Sequence, residues 1–145
     1  MVVEAVVEDH CEVVWIILPA IVCKGGYQRR VGKPFLVTEY YTKGDKGEDS
    51  DLPNTTGAGW NVHTQEDRGW FYQNFCLQLL ESKCCVGWHW FKYMDNDPED
   101  LTTDYSNRDS NKGMVKWNFE PYPALLDRMK QLNERTYRLI DYFDE

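Results

Sequence analysis

The chain has 145 residues, 42% of them hydrophobic and 14% aromatic, so it carries enough apolar side chains to bury the core of one ordinary domain. Its formal net charge of −8 argues against nucleic acid and anionic membranes as partners, because both need a basic surface to neutralise their phosphates. A neutral or weakly anionic polymer stays compatible with this charge.

The first 31 residues are rich in Val and Ile but show no clean alternation and no motif, so they are left as an unassigned N-terminal segment. The apolar run 13–23 is shorter than the ~20 residues of a membrane-spanning helix. Glu4, Glu8 and Asp9 stand where a secretory signal would be positive, so we expect no signal peptide and leave the localisation open.

No metal site is expected. The five cysteines form no CxxC pair and have no histidine at zinc-finger spacing, which favours thiols over a zinc site. The acidic segment 95–100 lacks the glycine and the closing glutamate of an EF-hand. We therefore interpret it as a solvated loop.

The secondary structure predicted from residue 32 onward alternates strands and helices. The continuous apolar run 35–41 predicts a strand buried on both faces, and polar residues 43–59 predict a surface loop. Thr64-Gln65-Glu66-Asp67 begins an amphipathic helix that ends near Lys83, and residues 85–93 form a second buried strand. Pro121 and Pro123 open one final helix with an apolar stripe reaching Phe143.

This order predicts βα units around a parallel sheet, and the fold class is α/β. Glu39 is a carboxylate inside an apolar strand, near the C-terminal end where catalytic residues of such sheets collect. Because an unpaired buried carboxylate is costly, Glu39 is either functional or a glutamate that is solvated or paired with an arginine.

The second strand and its loop carry aromatic and acidic residues that suit a carbohydrate ligand, since aromatic rings stack on sugars while polar groups bond their hydroxyls. Trp88 and Trp90 share one face and His89 the other, and either face could point inward. Core packing of the aromatics is the alternative. The residues assigned to substrate binding are Tyr41, Trp88, His89, Trp90, Tyr93, Asp95 and Asp97.

Three segments carry a resemblance to a known family: the run 33–41 around Thr38-Glu39, the run 86–97 with Gly87-Trp88-His89-Trp90, and residues 111–115. They resemble agar-degrading glycoside hydrolases, the β-agarase and β-porphyranase families of the clan A barrels. The resemblance covers 32 to 144, so residues 32–145 are interpreted as the C-terminal part of a catalytic (β/α)₈ TIM barrel, its last two to three βα units.

The resemblance implies that Glu39 is the nucleophile of retaining hydrolysis of β-glycosidic bonds in a marine galactan such as agar or porphyran. It also implies that Trp90 or Trp88 forms the floor of the subsite for the scissile sugar. A second carboxylic acid must protonate the leaving oxygen, roughly 5 Å from the nucleophile. Because these two carboxyl groups supply the chemistry, no cofactor is expected.

The sequence departs from those families where the general acid should lie. No Asn-Glu step precedes Glu39, and a whole barrel takes about 250 residues. We therefore expect a fragment that is inactive alone and associates with itself or needs the missing half, with residues 1–31 a non-native or frameshifted segment. Full-length relatives are expected to be secreted or periplasmic.

Two other hypotheses stay open. The chain could be a non-catalytic carbohydrate-binding module that uses Trp88, Trp90 and Tyr93 as a stacking platform. It could also be a structural α/β protein without a ligand, in which the aromatic residues simply form the core.

Overall fold

A computed structural model describes residues Val6–Glu8, Cys11–Trp15, 33–47 and 49–145. In chain order the strands are β1 (Val6–Glu8), β2 (Cys11–Trp15), β3 (Phe35–Tyr40), β4 (Lys43–Gly44), β5 (Asn61–Val62) and β6 (Cys85–Trp90). The helices are α1 (Gln65–Glu81), α2 (Pro123–Asn133) and α3 (Thr136–Asp144), with a 3₁₀ turn at Tyr105–Asn107.

The main sheet contains four strands in the order β1-β2-β3-β6. Strands β2, β3 and β6 run parallel, and β1 pairs antiparallel with β2. The prediction that the strand of Glu39 and the strand of Trp88 are parallel neighbours is confirmed. The described residues thus form a small α/β fold with parallel strands and three helices, and the predicted α/β class is confirmed at that level.

Strand β2 lies in the N-terminal segment that had no assigned motif, and it pairs with β3 from Glu12↔Phe35 to Trp15↔Glu39. This pairing extends the parallel sheet by one strand. The other residues of 1–31, apart from β1 and β2, lie outside the described part of the chain, so the interpretation of that whole segment stays a prediction.

Helix α1 begins with the predicted capping box. The Asp67 amide donates to Thr64 Oγ1 at 3.0 Å, and the Thr64 amide donates to Asp67 Oδ2 at 3.1 Å, so two amides at the helix start are satisfied reciprocally. The helix ends at Glu81, two residues before the predicted end, and Lys83 has a positive φ of 59°.

The prediction of one final helix is wrong. The chain forms α2 and then α3, and the Arg135 amide donates to Leu132 O at 2.9 Å in the turn that separates them. Neither glycine nor proline lies at this break, so the residue pattern carries no signal for it. Leu125, Met129 and Leu132 are buried as the predicted stripe requires, whereas α3 has no buried residue.

The chain divides into two compact units. The first comprises Met1–Tyr40, Gln73–Trp90 and Leu132–Glu145, and the second comprises Tyr41–Tyr72 and Phe91–Gln131. The predicted surface loop 43–59 belongs to the second unit, where Lys43, Ser50 and Leu52 are nevertheless buried. No helix in the described part of the chain is long and apolar enough to cross a membrane.

Candidate active site

Strand β3 contains one extra residue beside Glu39. Against β2 the register steps from Val14↔Val37 to Trp15↔Glu39, and against β6 it steps from Val37↔Trp88 to Tyr40↔Trp90. Between these paired positions β2 has one residue step where β3 has two, and β6 has two steps where β3 has three. Strand β3 therefore has one residue more than each neighbour. This is the pattern of a β-bulge, a feature that re-aims side chains and is frequent next to active sites.

The bulge decides which way Glu39 points. Val37 and Tyr40 are 0% and 3% exposed, and the Tyr40 ring stacks on Phe75 of α1 at 4.3 Å between centroids. Val37 and Glu39 would share this buried face in a regular strand. Because the extra residue brings Tyr40 to the α1 side, Glu39 lies on the opposite face of the sheet, here called the site face, and is half-buried there.

The same geometry determines on which face of the sheet each aromatic residue of β6 lies. The Trp90 ring meets Tyr40 edge-on at 5.4 Å, so Trp90 lies on the α1 side, and Trp88 shares that side by alternation. His89 then lies on the site face, and its side chain is exposed. Trp90 is partly buried there, and its role as the floor of a sugar subsite stays a prediction.

In the second unit, Asp95 is 0% exposed and accepts hydrogen bonds on both carboxylate oxygens. Oδ1 accepts from the amides of Lys112 and Gly113 at 2.8 and 2.6 Å, and Oδ2 accepts from Asn111 Nδ2 and Tyr122 Oη, each at 2.8 Å. The predicted direct contact of Asp95 with sugar is therefore disfavoured, because protein donors and burial occupy the carboxylate. Its role is to hold residues 111–113 in place.

Arg68 is the second buried charge of this network, at 0% exposure. Its guanidinium donates to the Thr42 and Gly113 carbonyls at 3.2 and 2.9 Å and to Gln65 Oε1 at 2.7 Å. Burial lowers the pKa of Arg68 to about 10, against the opposing effect of the negative charge of Asp95. Burial and the same carboxylate raise the pKa of Tyr122, so its hydroxyl stays a donor.

Tyr41 and Phe91 form a third cluster of the second unit, with ring centroids 5.8 Å apart. The Lys112 ammonium lies 4.1 Å from the Tyr41 ring centroid and also donates to Asn107 Oδ1. On another side, a side chain at Gly59 would come within 2.6 Å of the Tyr41 ring. Tyr41 is thus largely enclosed by the protein, although it was assigned to substrate binding.

Tyr93 and Asp97 are the predicted site residues of this unit that remain accessible. Tyr93 is 62% exposed, while Asp97 is half-buried and accepts the Glu99 amide on Oδ1 at 2.9 Å. The peptide between Phe91 and Lys92 is cis.

Among the residues that the structure describes, no cluster of three or more His, Cys, Asp or Glu side chains could hold a metal ion.

Asp109 clamps the loop that precedes β5. Its two carboxylate oxygens accept the amides of Thr55 and Thr56, each at 2.8 Å, and both threonine hydroxyls. Burial alone would raise the pKa of Asp109, but these four hydrogen bonds outweigh it and lower the pKa to about 2. Residues 107–111 are recognisable in the sequence as a polar run, but a contact between positions 55 and 109 leaves no local signal.

The chain matches no protein-family model and no curated protein sequence. Among solved structures it is 42% identical to BpGH50, with a TM-score of 0.71 over 92% of this chain and 27% of that chain. An exo-β-agarase matches at 24% identity and TM-score 0.63, over 79% of this chain and 14% of its own. The agarase AgWH50C matches at 19% and 0.64, over 79% and 17%.

The two likenesses below 25% identity show the fold alone, whereas the match to BpGH50 joins fold and sequence. The predicted resemblance to agar-degrading glycoside hydrolases is confirmed: the chain resembles a part of a GH50 glycoside hydrolase. It spans about a quarter of the length of BpGH50. The matched 92% is more of the chain than residues 32–145 amount to, so the likeness includes part of the N-terminal segment.

Proposed function

We propose that the chain is part of a glycoside hydrolase that cleaves β-glycosidic bonds in a galactan of the agar or porphyran type, with Glu39 as its nucleophile. The observation that carries the proposal is the bulge of β3, which turns Glu39 onto the site face at the C-terminal end of a parallel strand. The identity with BpGH50 supports the class of enzyme.

In the proposed reaction, the Glu39 carboxylate attacks the anomeric carbon while the glycosidic C–O bond breaks. A separate carboxylic acid protonates the leaving oxygen, and a covalent glycosyl-enzyme forms. The conjugate base of that acid then activates a water, which displaces Glu39 with a second inversion, so the anomeric configuration is retained overall. The ester bond to Glu39 breaks in this second step, so the carboxylate is regenerated.

The exposed side chains receive the sugar-binding roles. His89 on the site face is proposed to bond sugar hydroxyls, and Tyr93 to stack on a sugar ring. Asp97 is proposed as a polar contact at the edge of the sugar. Asp95 supports the segment 111–113 without touching sugar, and Trp88 and Trp90 support the sheet on the α1 side.

We further propose that the 145 residues are the last βα units of a (β/α)₈ barrel and do not hydrolyse galactan alone. The number of parallel strands in the main sheet supports this proposal, since β2, β3 and β6 amount to three of eight. The share of BpGH50 that is matched, 27%, supports it as well.

Covalent labelling tests Glu39 without requiring the general acid. A 2-deoxy-2-fluoro-β-galactoside with a dinitrophenolate leaving group needs no protonation to depart, and the fluorine slows hydrolysis of the intermediate. We expect peptide mass spectrometry to find one sugar on Glu39, and Glu39→Gln to abolish it. Glu120→Gln, a change to an exposed glutamate, is the matched control and should label normally. Sugar on another carboxylate would contradict the role of Glu39.

A carbohydrate-binding module is the second candidate, and the 62% exposure of Tyr93 favours it. It predicts no covalent labelling but saturable binding of agaro-oligosaccharides, measured by tryptophan fluorescence. Under this hypothesis Tyr93→Ala weakens binding at least about tenfold, as expected for loss of a stacked ring. A folded sample that neither labels nor binds would reject both sugar hypotheses.

A further inference from the structure

Lys92 is a half-buried cation on the segment that follows β6, directly before the exposed Tyr93. Its ammonium donates to Asn96 Oδ1, and Asn96 Nδ2 in turn donates to Asn107 O at 3.1 Å. Within residues 33–47 and 49–145, no carboxylate oxygen lies within 4.0 Å of this ammonium. Among the described residues, Lys92 is therefore held in place by a neutral amide and not by an ion pair.

This arrangement is unusual in a chain with 24 acidic and 16 basic residues, where carboxylates outnumber cations. Asp95 is the next carboxylate along the chain, but its oxygens are occupied by Asn111, Tyr122 and two backbone amides. Burial lowers the pKa of Lys92, while the charges of Asp95 and Asp104 raise it from a distance.

A second ammonium is joined to the same hydrogen-bonded segment. Lys112 donates to the side chain of Asn107, the residue whose carbonyl holds Asn96. The backbone also joins the two lysines, because the Lys92 amide donates to Lys112 O at 3.3 Å. The link Lys92–Asn96–Asn107–Lys112 thus places two cations around one pair of asparagines.

An ammonium has three N–H donors, and Asn96 takes one of them from Lys92. The remaining donors suit the oxygens of a sulfate ester or a carboxylate, because hydrogen bonds between charged partners are about twice as strong as neutral ones. A neutral sugar hydroxyl would add no negative charge beside the Lys92 ammonium, where Asp95 and Asp104 act only from a distance. An anionic group on a sugar that stacks on Tyr93 would compensate the charge of that ammonium.

We propose that Lys92 binds an anionic substituent of the sugar chain, a sulfate ester or a carboxylate, next to the sugar at Tyr93. This inference rests on the proposed function, since it assumes that a saccharide binds here. Asn96 fixes the Lys92 ammonium, and Lys112 is a second, buried cation on the same hydrogen-bonded link.

Calorimetric titration of the 145-residue chain with three matched oligosaccharides tests the proposal. The probes are a neutral agaro-oligosaccharide, a 6-sulfated porphyran oligosaccharide and a galacto-oligosaccharide that carries one uronic acid. At low ionic strength we expect at least one anionic probe to bind about tenfold more tightly than the neutral probe. The probe that shows the preference identifies the anionic group as sulfate or carboxylate.

Lys92→Gln should remove the preference and leave the affinity for the neutral probe within about twofold. Lys92→Arg keeps the charge and should keep the preference, which separates loss of charge from damage to the loop. Lys116→Gln is the matched control, because Lys116 is paired with Glu120 at 3.2 Å, and it should retain the preference.

Two results would overturn the proposal while leaving the proposed function intact. They are equal affinity of the unmodified chain for all three probes, and a preference that survives in a folded Lys92→Gln variant. If no probe binds to a folded chain, the proposed function and this inference fail together.

Discussion

The Asp95 carboxylate combines burial with four hydrogen bonds to protein donors, so its charge is an integral part of the second unit. The backbone passes close to it: a side chain at Gly113 would lie 2.4 Å from the Asp95 amide nitrogen. Any residue other than glycine at position 113 would therefore force these two segments apart.

We expect Asp95→Asn to lower the free energy of unfolding by about 3 kcal/mol or more. The amide would turn one acceptor into a donor facing other donors, and it would remove a charge that compensates buried Arg68. Urea denaturation measures the loss. Asp97→Asn at the half-buried neighbour should cost less than about 1 kcal/mol, and equal losses would contradict the role given to Asp95.

Asp109 makes the free energy of unfolding depend on pH in the acidic range. Its pKa is about 2 in the folded chain, below the ordinary 3.8, so ionised Asp109 stabilises the fold above about pH 4. The contribution is lost as the pH falls from about 4 toward 2. We expect this loss to be on the order of 1–2 kcal/mol in urea denaturation at successive pH values.

The double variant Thr55→Ala/Thr56→Ala should show a shallower loss over this pH interval, because it removes both hydroxyl donors to Asp109. Thr103→Ala is the control, since its hydroxyl donates to the Asp100 carbonyl and not to a carboxylate. An identical slope in the double variant and the parent chain would reject the clamp as the source.

At the scale of elements, the bulge of β3 determines on which face of the sheet Glu39 lies and how far along the strand it lies. Thr38 is the residue between the paired positions 37 and 39, and its Oγ1 is buried without a hydrogen-bond partner among the described residues. An unsatisfied buried hydroxyl adds no stability, so the value of Thr38 lies in the extra length that it gives to the strand.

Deletion of Thr38 should leave the chain folded, because regular alternation would still place Val37 and Tyr40 on the α1 side and Glu39 on the site face. The carboxylate would move about 3.3 Å along the strand. We expect covalent labelling of Glu39 to fall about 100-fold, given the sensitivity of reacting groups to misplacement. Undiminished labelling in a folded deletion variant would show that the bulge does not position the nucleophile.

At the scale of the whole molecule, β1 and β6 are the outer strands of the described sheet, and each has a neighbouring strand on one side only. Strand β6 is the last strand of the order β1-β2-β3-β6 and has no residue in the buried class, and Val86 on it is 65% exposed. An uncovered parallel strand edge presents backbone donors and acceptors to another chain.

We therefore expect concentration-dependent self-association, measured by sedimentation velocity. Val86→Lys should shift the chain toward monomer, because a charge on an edge strand opposes pairing. Leu101→Lys is the matched control: Leu101 is 74% exposed but lies outside the sheet, and its substitution should change little. A monomer at all concentrations would contradict this expectation.

The purified chain should not release reducing sugar from agarose or porphyran above background, because the proposed mechanism needs a second carboxylic acid. Reducing-end assays over several hours measure this. Measurable hydrolysis that disappears in Glu39→Gln would keep the nucleophile but contradict the proposal that the chain is inactive alone.

The sequence alone determined the elements whose signals are local. The apolar runs at β3 and β6, the capping box of α1 and the apolar stripe of α2 were readable, because each depends on residues within one helix or one strand. The family resemblance was also readable, since the segments around Glu39 and His89 are contiguous.

Tertiary structure decided the rest. The bulge at Thr38 appears only when β2 and β6 are paired with β3, and it reverses the face that simple alternation gives Glu39. The burial of Asp95 and the Asp109 clamp depend on contacts between positions far apart in the chain. Burial and hydrogen-bond partners determine whether a carboxylate can react with a ligand or only holds neighbouring segments in place. These surroundings exist only after folding.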